Sequence, residues 1–168
     1  AYGRAIDTPT FRALDLYSAA AFANAIEQLD VQTDGTLAPH APPAVATDSL
    51  SGGIAAHPFQ DRVYAGTRPD GATSARLWTY DTGIGGALSS VSSLDLPAGL
   101  SRLVFDRSGR YLYASAADGL RGFAIDASGA PTLAGFAAST SSADRLLVHP
   151  SGRFAYLAPV IGSNIERY

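Results

Sequence analysis

The sequence predicts an all-β fold made of short antiparallel strands, repeated every ~40–50 residues. Three observations carry that prediction. Nearly one phrase is written three times: HPFQDRVYAG at 57–66, FDRSGRYLYAS at 105–115 and HPSGRFAYLAP at 149–159. Its tyrosines, Tyr64, Tyr113 and Tyr156, share a counterpart in Tyr17, at intervals of 47, 49 and 43 residues. A second phrase follows each: AIEQLDVQTDGTL (25–37), ARLWTYDTGIGGAL (75–88), LRGFAIDASGAPTL (120–133) and NIERY (164–168). Its apolar positions, read as Leu29, Trp78, Phe123 and Tyr168, are spaced by 49, 45 and 45. Two landmarks that drift together define a repeat.

Each unit reads as strands in turn. In the first, 16–25 is the most apolar stretch, far shorter than the ~20 residues that span a bilayer. The segment 18–29 could be forced into a helix, but the repeat register makes it a strand pair. The Pro-rich LAPHAPPAV that follows reads as a loop, with His40 exposed on it. In the second unit, GIGG (83–86) lacks the spacing, the Lys and the helix of a phosphate loop, so it predicts a hairpin. In the third and fourth, LVF and LLV precede the turn, RYLYAS and RFAYLAP follow it, and RGFAID leads to a Gly turn. Pro and Gly punctuate the connection between the innermost strand and the next, Gly supplying a positive φ. The Tyr or Phe beyond it is expected to fill the space between neighbouring units.

Such units are the blades of a β-propeller, each a four-stranded antiparallel sheet. The repeats run approximately 12–50, 51–99, 100–142 and 143–168, about three and a half blades. Because propellers close rings of ~4–8 blades, the remaining blades are expected from a longer parent chain, a second fragment or a second copy. The chain starts without Met, which suggests a fragment or a removed leader and leaves its compartment open.

At 168 residues, 46% hydrophobic and 16% charged, the chain can bury a core as one domain. A net charge of −3 argues against nucleic-acid or anionic-membrane partners. All twelve basic residues are Arg, scattered as on a solvated surface, and the absence of Cys excludes disulfides and thiolate metal sites. Three dispersed His residues are a weak metal signal. Nothing calls for a cofactor.

Position singles out a few residues. Arg102 and Arg145 occupy matching places at the start of innermost strands, where forked guanidinium donors suit a carboxylate or phosphate; Asp144 is a ready ion-pair partner. His57 and His149 match each other in the turn after the innermost strand, as bonded turn residues or as a general base. Glu27 and Glu166, the only two Glu, share a repeat position that reads as strand-exposed charge. Trp78 reads as core.

HPSGRFAYLAP followed by NIERY, with I-x-x-L-D-V-x-x-D-G-T-L at 26–37, resembles the lactonase-type seven-bladed propellers, the 6-phosphogluconolactonase and carboxy-muconate cyclase-like family. The resemblance runs from about Leu14 to Tyr168, the N-terminal half of such a protein. It implies a site in the mouth of the central channel, with a base to activate water and a cation to hold the oxyanion or a substrate anion. The family's Pro-Arg-His phrase before the innermost strand is matched by Ser51-Gly52-Gly53, Leu100-Ser101-Arg102 and Ala143-Asp144-Arg145. The His is absent from all three and Arg replaces it twice, so the base is expected in other blades. The resemblance implies hydrolysis or binding of a small anionic or sugar-derived lactone; the rival reading is a non-catalytic platform for binding or assembly.

Overall fold

A computed structural model describes residues 15–20, 24–48, 52–67, 75–83, 85–139, 143–159 and 164–168. They form four antiparallel sheets, each a meander in chain order. Sheet 1 holds β1 (Asp15–Ala20), β2 (Ala25–Val31) and β3 (Leu37–Ala46). Sheet 2 holds β4 (Gly53–Ala56), β5 (Arg62–Thr67), β6 (Ala75–Thr82) and β7 (Leu88–Leu96). Sheet 3 holds β8 (Leu100–Phe105), β9 (Tyr111–Ala116), β10 (Gly119–Ile125) and β11 (Pro131–Ala138). Sheet 4 holds β12 (Ala143–Val148), β13 (Ala155–Pro159) and β14 (Glu166–Arg167). The outer sheets thus show three strands each among the described residues. No described helix is long and apolar enough to cross a membrane.

The opening strands β4, β8 and β12 lie side by side, as the innermost strands of neighbouring blades do. The turn that ends each one closes alike: the amides of His57, Asp106 and His149 donate to the carbonyls of Arg62, Tyr111 and Phe154 at 2.8, 3.0 and 2.9 Å. At the outer hairpins, Gly35, Gly86 and Gly129 sit at φ of +86°, +85° and +83°. Their amides bond to Gln32, Gly83 and Asp126 carbonyls at 2.9, 2.9 and 3.0 Å. Gly83 and Gly86 therefore belong to a hairpin turn, as the sequence predicts. Left-handed geometry at that place suits glycine.

Apolar clusters fill each boundary. Ile26, Val63, Ala65, Tyr80 and Leu88 pack between sheets 1 and 2. Tyr64, Leu77, Leu100, Leu112 and Phe123 pack between sheets 2 and 3. Leu120, Ala155 and Leu157 pack between sheets 3 and 4. Tyr64 fills its boundary as expected, its ring edge-on to Phe105 at 5.4 Å. Its hydroxyl donates to the Gly129 carbonyl at 2.6 Å, and Tyr17 donates to the Gly86 carbonyl at the same distance.

The registers correct one landmark. Leu29 faces Leu16 and Phe123 faces Leu112, each the residue before the repeat tyrosine; in sheet 2 that partner of Val63 is Tyr80. Trp78 pairs with Ala65 instead. It is half-buried and its indole N–H donates to Asp48 Oδ1 at 3.1 Å. Glu27 and Glu166 do share a register position, opposite Ser18 and Leu157, one residue beyond the tyrosines.

Candidate functional site

The starts of the innermost strands carry a repeated irregularity. The β8–β9 ladder shifts between Leu100 and Arg102, and the β12–β13 ladder shifts between Ala143 and Arg145. Ser101 and Asp144 are the extra residues of two matching bulges. A bulge bends its strand and re-aims the side chain beside it. Both arginines follow one, and both are exposed. The Arg102 amide is anchored to Ser115 Oγ at 3.2 Å. The side chain of Asp144 lies outside the described residues.

Sheet 2 has no arginine here for a steric reason. A Cβ on Gly53 would stand 3.1 Å from Leu103 Cγ and 3.2 Å from the Ser101 carbonyl. The start of β4 presses against β8, so only glycine fits without displacing it. Gly52, at φ +102°, turns the chain into that contact.

His57 and His149 lie at the other end of the innermost strands. Asp106, which matches them in sheet 3, is four residues beyond Arg102, roughly 13 Å along an extended strand. His57 is committed to structure. Its Nδ1 accepts the Phe59 and Gln60 amides at 3.0 and 2.9 Å, so Nε2–H donates to the Gly109 carbonyl of sheet 3 at 2.9 Å. His149 Nδ1 meets the Ser151 amide at 3.1 Å and hydroxyl at 2.7 Å. The fold therefore keeps the histidines apart from the arginines.

That far end also holds a cleft of about 920 Å³ between sheets 1 and 2, lined by Asp15, Tyr17, Asp30, His57, Asp61 and Arg62. Single-sequence spacing gives no hint of its chemistry, because the groups converge across strands. Asp15 and Asp30 are directly paired on β1 and β2, and His40 joins them from β3. Their ligand atoms lie within 4.8 Å of one another, a carboxylate–imidazole group that could hold a metal ion. Contrary to the loop reading, His40 sits on a strand with its side chain mostly buried, and Nε2 contacts the Gly85 carbonyl. Burial, reinforced by the Asp15 and Asp30 charges, pushes the Tyr17 hydroxyl up to about 12. Arg62 pairs with Asp81 beside the cleft.

One ion pair, between a buried guanidinium and a half-exposed carboxylate, escaped the sequence. Arg121, on β10, is almost fully buried, its guanidinium forked onto Asp118 at 2.6 and 2.8 Å and lying 4.9 Å over the Phe136 ring. The i, i+3 spacing across the β9–β10 turn was its only trace.

No family model matches the chain, and no curated protein does. Solved structures do. The periplasmic gluconolactonase of Pseudomonas aeruginosa superposes with a TM-score of 0.73 at 20% identity, over 86% of this chain and 44% of that one. A Bacteroides fragilis protein named a candidate 6-phosphogluconolactonase gives 0.71 at 18%, over 86% and 44%. Kuenenia stuttgartiensis hydrazine synthase gives 0.64 at 13%, over 86% and 46%. The chain thus matches lactonase-type β-propellers in fold, and it spans about half the length of the solved structures it matches. The last neighbour shows that these blades also occur in a protein of unrelated chemistry.

Proposed function

We propose that this chain supplies part of a lactonase-like propeller whose channel mouth binds a small anionic or sugar-derived lactone. One observation supports the reading above others: Arg102 and Arg145 each follow a bulge at the same place on adjacent innermost strands. Two guanidinium forks on one channel opening suit a carboxylate or phosphate, and they would stabilise the oxyanion that forms as a lactone carbonyl is attacked. On this reading Asp144 orients Arg145, and His57 and His149 hold the turns beneath. The general base that activates water comes from blades other than the four units, 12–50, 51–99, 100–142 and 143–168, assigned here.

Turnover of gluconolactone by the complete particle tests this directly. Arg102→Ala and Arg145→Ala should each lower kcat/KM by roughly 10²-fold or more, with the strand content unchanged. Turnover equal to the parent protein in both variants removes the arginines from the mechanism. It would leave the second reading, a non-catalytic platform for binding or assembly.

A further inference from the structure

The blade repeat supplies an internal comparison for the place where Asp15 faces Asp30. Counted from the repeat tyrosine, the same cross-strand pair is Arg62 and Asp81 in sheet 2, and Tyr111 and Ala124 in sheet 3. Sheet 2 therefore joins opposite charges there in a salt bridge, and sheet 3 carries no charge at all. Of the three, sheet 1 alone opposes two carboxylates, an arrangement that destabilises a strand pair by itself. The fold does not demand it, so a positive charge must offset it.

The side chains around the pair do not provide enough. Arg62 is taken by Asp81, His57 is bonded at both ring nitrogens, and Asp61 adds another carboxylate to the cleft. After burial, the Asp15 and Asp30 charges are what push the Tyr17 hydroxyl up to about 12. The His40 imidazole does reach the pair. Its side chain is only 12% exposed, with Nε2 3.7 Å from Asp30 Oδ1 and in contact with the Gly85 carbonyl of the sheet 2 hairpin. Its Nδ1 is closed to solvent and has no hydrogen-bond partner among the described residues. Even protonated, one imidazole brings a single charge against these acids.

We propose that Asp15, Asp30 and His40 bind one divalent transition-metal cation, with the Gly85 carbonyl as a further donor from sheet 2. Donors that share an ion at about 2.0–2.2 Å stand ~3–4 Å apart. The ligand atoms here already lie within 4.8 Å of one another, so small side-chain rotations close them on the ion. Imidazole beside carboxylates favours Zn²⁺ or a similar ion over Mg²⁺ and Ca²⁺, which take oxygen donors. The ion supplies the charge that Arg62 supplies in sheet 2, and it ties all three strands of sheet 1 to the neighbouring hairpin. The site is at the far end of the strands from Arg102 and Arg145, so it stands apart from the lactone reading.

Zn²⁺ added to the complete particle after dialysis against EDTA tests the assignment. Calorimetry should show a site with a dissociation constant of roughly 10 μM or below. Asp30→Asn and His40→Gln should each weaken it roughly tenfold or more, and Glu27→Gln, which alters an exposed carboxylate on the same strand, should not. Mg²⁺ and Ca²⁺ should bind it roughly tenfold or more less tightly. Zn²⁺ should also raise the urea midpoint of the parent. In EDTA the midpoint of Asp30→Asn should lie above that of the parent, because a like-charge pair is gone, yet Zn²⁺ should no longer raise it. That reversal separates a lost ligand from a damaged fold. A parent midpoint unmoved by Zn²⁺, or Zn²⁺ affinity unchanged in both Asp30→Asn and His40→Gln, overturns the proposal.

Discussion

Replacing Tyr64 by Phe removes one oxygen from the boundary between sheets 2 and 3. The ring stays, edge-on to Phe105, so the apolar packing is retained. What goes is the 2.6 Å hydrogen bond to the Gly129 carbonyl, a contact closed to solvent. A buried acceptor left without its donor costs about 1–3 kcal/mol. At ~2–4 °C per kcal/mol for a chain of this size, about 2 kcal/mol lowers Tm by roughly 4–8 °C. Tyr17→Phe deletes the same bond at the first boundary, but there the site is only part-buried, and water can replace the donor. Its cost should fall to about 0.5–1 kcal/mol. Urea unfolding followed by Trp78 fluorescence measures both, with an unchanged m value showing that the same surface is exposed. Equal stability of Tyr64→Phe and the parent, or a larger loss in Tyr17→Phe, would refute the assignment of this bond as a latch between sheets.

Burial pushes the hydroxyls of Tyr17, Tyr64 and Tyr80 up to about 12 from an ordinary 10. A raised folded-state value makes the neutral phenol part of the native state, so their contribution is complete below pH 10 and is lost as pH rises toward about 12. Stability measured across pH 9–12 should fall over that window, less steeply in Tyr64→Phe. Asp118→Ala strands the buried Arg121 guanidinium and should cost about 3 kcal/mol in urea unfolding, whereas Arg121→Met should cost less. Burial works to raise the Asp48 carboxyl, but the Trp78 indole bond and the Arg76 charge help to outweigh it, leaving its value below the usual 3.8. Stability from Asp48 is thus present above 3.8 and lost as pH falls below it. As Trp78 is the one Trp, its emission should report that loss, and Asp48→Asn should make the acid step smaller.

Most of the architecture was legible because a blade repeats both its polarity and its turn chemistry. The tyrosines, the hairpin glycines and the Glu27–Glu166 match all follow from that. Trp78 misled because Trp-Thr-Tyr places two aromatics two residues apart, on one face of β6, and spacing alone cannot choose between them. His40 misled because Pro39, Pro42 and Pro43 read as a loop. β3 tolerates them because it is the edge of sheet 1 and because Pro42 and Pro43 fall where the β2–β3 register shifts, between Ala44 opposite Glu27 and Pro39 opposite Leu29. The bulges before Arg102 and Arg145 were not visible, since one extra residue leaves no mark without the partner strand. Nor was the Asp15–Asp30–His40 convergence, which depends on cross-strand register.

The central functional claim is that Arg102 and Arg145 face one anion at a shared channel mouth. Their guanidinium Nε–H resonances, followed by NMR while gluconate 6-phosphate is added to the complete particle, test it most directly. The account predicts that both shift together with a single dissociation constant, while the buried Arg121 does not move. Arginines that stay still, or that titrate independently of each other, would contradict it.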